Sequence, residues 1–450
     1  MFDRLTRGAL AFVVLFVIGT LPRAWNLWHY PLDMGFDARG NWEYIAMLMK
    51  DWRLPAPGEG WSTAHPPFFY GFAAIIGRLM GATDREVIAR TVIAMCSLLG
   101  LTAIAAVACY VRDSTRDAGP RPWIASALLL FLPVHVYMSA MLGEEMLVTA
   151  LVTFAVIGLA REVGRSALER STFARPFLLG ALAGLGLLTK LSAALAIATG
   201  TAVLVAEGRR RGWHRALGSA AAFAGAAALA GGWFYLRNLI IQGDAYSHAL
   251  PVHALMFDMP PGHRSLADYV YLPSAAFRAA QASDTSLLHS VWGGAWASTW
   301  FDSHRHFLPL HPTRGLELAA RILLVLGLVP AIAFANGLAR GVRRAIVDGS
   351  GPDRLFAGMT ILTLAGFVAF TWENPWFVCV KGSYLLLLSA PYAVYASETL
   401  EAWMRASRRL ALPLGAVLVI LSVVSTITFS YNSVFVKLGS PGTEWKGPLP

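Results

Sequence analysis

From Trp123 to Ala160 the chain runs apolar for 38 residues, broken only at Gly143, Glu144 and Glu145. A bilayer crossing takes about 17–25 residues, so this run is too long for one helix and too apolar for a solvated surface. Arginines stand on both sides: Arg112, Arg116 and Arg121 before it, and Arg161, Arg165, Arg170 and Arg175 after. Basic residues collect in cytoplasmic loops. Both flanks therefore lie inside, and the chain crosses twice with Glu144 and Glu145 at the outer turn. Residues 176–206 repeat the argument, since a single helix would be about 46 Å long at 1.5 Å per residue. Their flanks are again basic, with Arg209, Arg210 and Arg211 following. A hairpin break near Lys190 puts that lysine at the outer surface.

The remaining crossings fall at 8–28, 91–111, 216–236, 318–339, 355–372, 382–398 and 411–431. The expected fold is an all-α polytopic membrane protein with about eleven transmembrane helices, the N-terminus inside and the C-terminus outside. Inner loops then carry Arg340, Arg343 and Arg344, or Arg405, Arg408 and Arg409. The first run is followed by Arg23 and Trp25 rather than a small-residue cleavage site, which predicts a retained anchor. Residues 66–81 look like a span, but a crossing there would put the arginines at 112–121 outside. They are expected to form an amphipathic interfacial helix, interrupted by Arg78.

Only 14% of the 450 residues are charged, against about 25% in a soluble domain, which argues against a soluble enzyme. The net charge of +10 is spread in short clusters between apolar runs, so no nucleic-acid partner is implied. Cys96, Cys109 and Cys379 are odd in number and frame no disulfide scaffold. The chain is expected to be one membrane-embedded domain, 1–450. Its first outer region is 29–90, its second outer region is 237–316, and four C-terminal crossings occupy 318–431. No soluble C-terminal domain is expected.

Ionisable residues beside membrane spans are functional candidates, and here they converge on the outer face. Asp37 precedes a segment with helical apolar spacing, where it serves either as an N-cap or as a general base facing a cavity. Glu144 and Glu145 form either a solvated tip or a pair that orients a hydroxyl or joins Asp37 around a divalent cation. Lys190 has no acidic neighbour in sequence. Lys190, Arg237 and Lys381 each sit at the outer end of a span, where an anchoring role competes with a lipid-phosphate site; three on one face favour the anion site. His65 begins the run His65-Pro66-Pro67, whose prolines suit a first helical turn. His289, His304, His306 and His311 match no compact zinc spacing. Trp292, Trp296 and Trp300 would stripe one helix face, as a membrane-interface belt or, second, a sugar-stacking platform.

The order of these segments resembles that of the integral-membrane GT-C glycosyltransferases, particularly the protein O-mannosyltransferases and the bacterial 4-amino-arabinose lipid A transferases. The segments are GFDARGNWEYIA with Asp37, HPPFFYGF with His65, GEEM with Glu144 and Glu145, GLGLLTK with Lys190, WFYLRNLIIQGD with Arg237, and KGSYLLLL with Lys381 and Tyr384. The chain departs from the family where Ala38 follows Asp37 and where Ser383 precedes Tyr384.

The resemblance implies a GT-C-like fold and a polyprenyl-phosphate sugar donor. The acceptor would be a lipid, a protein or a glycan. The setting it implies is the periplasmic face of a bacterial inner membrane, among membrane lipids. Cations should stabilise a departing phosphate, with Lys190, Arg237 and Lys381 as candidates, while His65 and Tyr384 contribute to substrate binding. A carboxylate should accept the acceptor's proton; Asp37 is the first choice, with Glu145 or Glu144 supporting. One displacement inverts the anomeric carbon. A divalent cation, Mg or Mn, is left open, with Asp37 and Glu145 as its ligands. The competing class is a transporter or flippase for lipid-linked sugars, which tends to show repeated halves; none is evident here.

Overall fold

The computed structural model describes residues 2–115, 119–165, 172–246, 250–254, 258–310 and 313–433. Arg116, Arg170 and His311 lie outside the described residues. The chain order of the main helices is α1 (Phe2–His29), α2 (Ala38–Asp51), α3 (Phe68–Leu79), α4 (Arg85–Ser114), α5 (Arg121–Leu130), α6 (Pro133–Met138), α7 (Glu145–Gly164), α8 (Ala174–Leu187) and α9 (Ala193–Ala206). There follow α10 (Trp213–Gln242, with one π turn), α11 (Val291–Trp300), α12 (Arg314–Asp348), α13 (Gly351–Glu373), α14 (Ser389–Ala406) and α15 (Arg408–Thr428). All regular structure among the described residues is helical.

By length and composition, seven stretches can cross a membrane: α4, α7, α10, α12, α13, Phe377–Ala406 and α15. This is a multi-pass membrane protein. The expected count of eleven is only partly reproduced, for local reasons. The predicted crossing before Glu144 is split into α5 and α6, because Pro133 cannot continue the hydrogen-bond ladder. The hairpin around Lys190 is present as α8 and α9, but each is 14 residues, only about 21 Å long. The predicted span 382–398 begins as a 3-10 run, Gly382–Leu388, before α14 starts. Helix α1 is 28 residues long.

Residues 66–81 do not form a spanning helix. Helix α3 has 12 residues and buries Phe69, Tyr70, Ala73, Ala74, Ile76 and Gly77. Arg78 ends it, donating to the Met49 carbonyl of α2. The first turn of α3 docks at the α8–α9 break, where the Phe68 amide donates to the Leu188 carbonyl at 2.9 Å.

Small residues set the closest helix crossing. A Cβ added at Gly180 of α8 would sit 2.1 Å from the Phe223 carbonyl oxygen of α10, and one at Gly184 would sit 2.6 Å from that of Ala227. Without a hydrophobic force between helices in lipid, such close backbone approach drives association.

One end of the bundle is laced by ion pairs. Arg344 of α12 bonds Asp353 of α13 and Glu398 of α14, each at 2.8 Å, and Arg121 of α5 reaches Glu398 at 3.3 Å. Helix α13 runs from Asp353 in this network to Phe370, about 25 Å away, where it walls a cavity at the other end.

Candidate active site

The cavity holds about 550 Å³ and gathers side chains distant in sequence, including Asp37, His65, Glu144, Glu145, Lys190, Lys381 and Tyr384. One wall is apolar, built by Leu191, Ala194 and Leu195 beside α9 and by Gly366, Phe367 and Phe370 of α13.

Asp37 stands immediately before α2 but does not cap it. Its backbone is left-handed, φ 55° and ψ 17°, and its side chain bonds no helix amide. Instead, Oδ1 accepts a 2.7 Å hydrogen bond from the Trp61 indole. The N-cap reading is thereby corrected. Burial pushes the carboxyl toward its neutral form, but the Lys381 charge, His65 and the Trp61 hydrogen bond hold it below its ordinary value.

Helix α7 starts at Glu145, with Glu144 in the cap position, where the helix N-terminus favours negative charge. Both glutamates are buried, at 4% and 8% exposure, so they are not a solvated tip. The α8–α9 break delivers Lys190 to them, with Nζ 2.8 Å from Glu144 Oε1 and 2.9 Å from Glu145 Oε1. Burial favours the neutral form of Glu144, yet Lys190 and then His65 hold its carboxyl below the usual range. Burial likewise opposes the ammonium of Lys190, yet the two glutamates raise it well above an ordinary lysine. Lys190 has no acidic neighbour in sequence, and the fold supplies its partners from 46 and 45 positions away.

His65 joins this cluster. Its Nδ1 lies 3.1 Å from the Tyr70 hydroxyl, which donates to Asn41 Oδ1 at 3.0 Å, and 3.8 Å from Glu144. Asn41 donates to the Leu142 carbonyl at 2.9 Å. The start of α2 is thus tied to the turn that carries the glutamates.

Lys381 precedes the Gly382–Leu388 run, and its ammonium has no hydrogen-bond or ion-pair partner among the described residues. Its Nζ sits 4.2 Å from the Phe36 ring centroid and 5.8 Å from that of Tyr384. An ammonium against aromatic faces keeps its charge available to a ligand. His304 and His306 flank Phe36, with ring centroids 5.5 and 4.2 Å away. Burial, followed by the Lys381 charge, lowers His304 to about 3, so its ring is neutral.

Three sequence expectations come apart here. Arg237 does not line the cavity. Its guanidinium donates to the Leu54 and Pro55 carbonyls, at 3.3 and 3.2 Å, and pins the first outer region. Trp292, Trp296 and Trp300 do not line the cavity, which leaves no sugar-stacking platform there. Trp292 packs on Phe367 and Trp296 on Phe277 and Trp300, while Trp300 is 4% exposed in the core. Nor do Asp37 and Glu145 gather as metal ligands. Among the described residues no three His, Cys, Asp or Glu side chains converge on a metal position, and Lys190 bonds one oxygen, Oε1, of each glutamate. Trp61 and Phe36 escaped sequence reasoning, because nothing in their spacing marks them; His304 and His306 were visible only as histidines.

Comparison with known proteins places this geometry. Residues 64–234 match the family described as dolichyl-phosphate-mannose-protein mannosyltransferase. That segment contains His65, both glutamates and Lys190; Asp37 and Lys381 fall outside it. The chain superposes on the oligosaccharyltransferase of Archaeoglobus fulgidus in complex with Zn and sulfate, with a TM-score of 0.57, 17% identity, and coverage of 94% of this chain and 53% of that one. It superposes on ArnT from Cupriavidus metallidurans bound to undecaprenyl phosphate with a TM-score of 0.51, 14% identity, and coverage of 94% and 76%. At these identities the likeness is one of fold, which the chain shares with both transferases. The chain spans about half the length of the oligosaccharyltransferase it matches. No curated protein sequence matches it. The cavity thus combines an acidic cluster from the matched segment with two residues, Asp37 and Lys381, from outside it.

Proposed function

We propose that this chain is a glycosyltransferase that moves a sugar from a polyprenyl-phosphate donor to an acceptor hydroxyl or phosphate. The proposed setting is the periplasmic face of a bacterial inner membrane. The observation that carries the reading is a single cavity holding both an ionised carboxylate and an unpaired ammonium. Asp37 keeps Oδ2 without a hydrogen-bond partner among the described residues, and Lys381 is unpaired. The apolar wall of α9 and α13 offers a surface suited to a prenyl chain. One structural neighbour was solved with an inhibitory peptide and a dolichol-phosphate, at a TM-score of 0.52 and 16% identity, which supports a lipid phosphate and a peptide meeting in such a fold.

In the proposed step for a hydroxyl acceptor, the donor phosphate lies against Lys381. As the bond from C1 to the phosphate oxygen breaks, the phosphate leaves with the bonding pair, and the ammonium stabilises that charge. The hydroxyl attacks the opposite face of C1 while its proton passes to Asp37 Oδ2. One displacement inverts the anomeric carbon; a retained configuration in the product's NMR spectrum would refute the single step. Lys190, Glu144 and Glu145 form a mutually satisfied cluster beside it. Their role here is to shape the polar floor and hold the α2 segment in place.

The test is release of free polyprenyl phosphate from labelled donor lipids by the purified chain, compared with Asp37→Asn. Turnover by wild type that falls about 10²–10⁴-fold in the variant, with folding intact, is expected. Donor lipid that binds but is never consumed, with lipid, peptide and glycan acceptors all supplied, would overturn the reading in favour of a transporter or flippase.

A further inference from the structure

We propose that Trp61 is a positioning residue for Asp37: its indole N–H fixes one carboxylate oxygen so that the other is presented to the acceptor. For its kinetic consequences this rests on the transferase reading above.

Asp37 lacks the usual restraint of a carboxylate at a helix start, since no helix amide binds it and its backbone is left-handed. Aspartate tolerates that region better than most residues, but an uncapped side chain there is free to rotate. Among the described residues the one hydrogen bond to its side chain is the 2.7 Å contact from Trp61 Nε1 to Oδ1. The charged and titratable groups facing Asp37 are Lys381, His65 and His306, and none forms an ion pair with it among the described residues. Trp61 therefore sets which oxygen is free.

The indole is itself held on several sides. The Trp61 carbonyl meets His253 Nε2 at 2.9 Å, and the two rings pack edge to face at 4.5 Å. Gly40, in the first turn of α2, leaves space that any side chain would fill, since a Cβ there would lie 2.7 Å from Trp61 Cβ and Cδ1. The next residue, Ser62, donates to Asn41 Oδ1 at 2.9 Å. The donor is thus clamped to the same helix that carries its acceptor. Such fixed geometry is what a base needs to meet its proton within hydrogen-bond reach.

The experiment removes the N–H and keeps the shape. The tryptophan analogue with sulfur in place of the indole nitrogen is incorporated at position 61, beside Trp61→Phe. With the analogue, kcat is expected to fall about 10- to 100-fold, the loss of one hydrogen bond to a charged group, with the acceptor KM changed less than twofold. An infrared titration of Asp37, assigned by subtracting Asp37→Asn, should move to higher pH, because a bond to the charged form has been lost. An unmoved titration overturns the proposal, whatever kcat does, since Trp61 would then only pack the loop. An unchanged kcat with active wild type overturns it too. If wild type transfers no sugar, the transferase reading fails, and the infrared titration alone decides the Trp61–Asp37 pairing.

Discussion

The two cations at the site have opposite circumstances, and substitutions should separate them. Lys381 faces the cavity with no acidic partner, so Lys381→Ala is expected to lower turnover about 10²–10³-fold and leave thermal stability nearly unchanged. Lys190 neutralises two buried carboxylates. Lys190→Ala leaves both unpaired and is expected to cost about 3–5 kcal/mol. Adding Glu144→Gln and Glu145→Gln to that variant should restore much of the loss in a thermal unfolding assay. A Lys190→Ala chain as stable as wild type would show that the cluster is not structural. The pH dependence follows from the same groups. Glu144 titrates below its ordinary 4.5, so its stabilisation is present above that value and is lost as pH falls through the lower folded value. Lys190 titrates above its ordinary 10.5, so its stabilisation is present below that value and is lost as pH rises through the higher folded one. Asp37 is held below 3.8, so kcat/KM should show no acid limb from the base down to about pH 5.

Among the elements, interrupted helices position the chemistry. The α8–α9 break carries Lys190, the turn after α6 carries Glu144, and the 3-10 run before α14 starts beside Lys381. A continuous helix would have sent each of these side chains around its axis rather than into one cavity. The α8–α10 crossing holds the Lys190 hairpin in place through Gly180 and Gly184. Gly180→Val is expected to force these backbones apart, since its Cβ would meet the Phe223 carbonyl. Overpacking costs about 1–3 kcal/mol, so this variant should unfold earlier on heating while Gly415→Val, whose added Cβ meets nothing within 4 Å, should not.

Across the whole molecule, the ion-pair network of Arg121, Arg344, Asp353 and Glu398 and the candidate active site occupy opposite ends of α13. The arginine bias predicts that the network end faces the cytoplasm. Single cysteines at the exposed positions Leu266 and Ile346, in a background with Cys96, Cys109 and Cys379 replaced, should react with a membrane-impermeant maleimide from opposite sides. Position 266 is expected to label in intact cells and position 346 only after permeabilisation; the reverse pattern would invert the topology and move the proposed reaction inside.

Much of this protein was legible in its residues because the membrane imposes one-dimensional rules. Apolar run length, flanking arginines and parity together mark the membrane class, the non-spanning segment at 66–81 and the breaks at Glu144 and Lys190. The ordered segments around Asp37, His65, Glu144, Lys190 and Lys381 also resemble those of the GT-C glycosyltransferases. Pairing is not encoded in such rules. Nothing along the chain says that Lys190 is spent on Glu144 and Glu145, that Lys381 is left without a partner, or that Arg237 turns to the Leu54 and Pro55 carbonyls. Nor does a helical stripe of tryptophans reveal whether lipid or another helix covers it. Those outcomes depend on distances between segments tens to hundreds of residues apart. They are set by helix breaks and by the packing of α8 on α10, which exist only once the chain has folded.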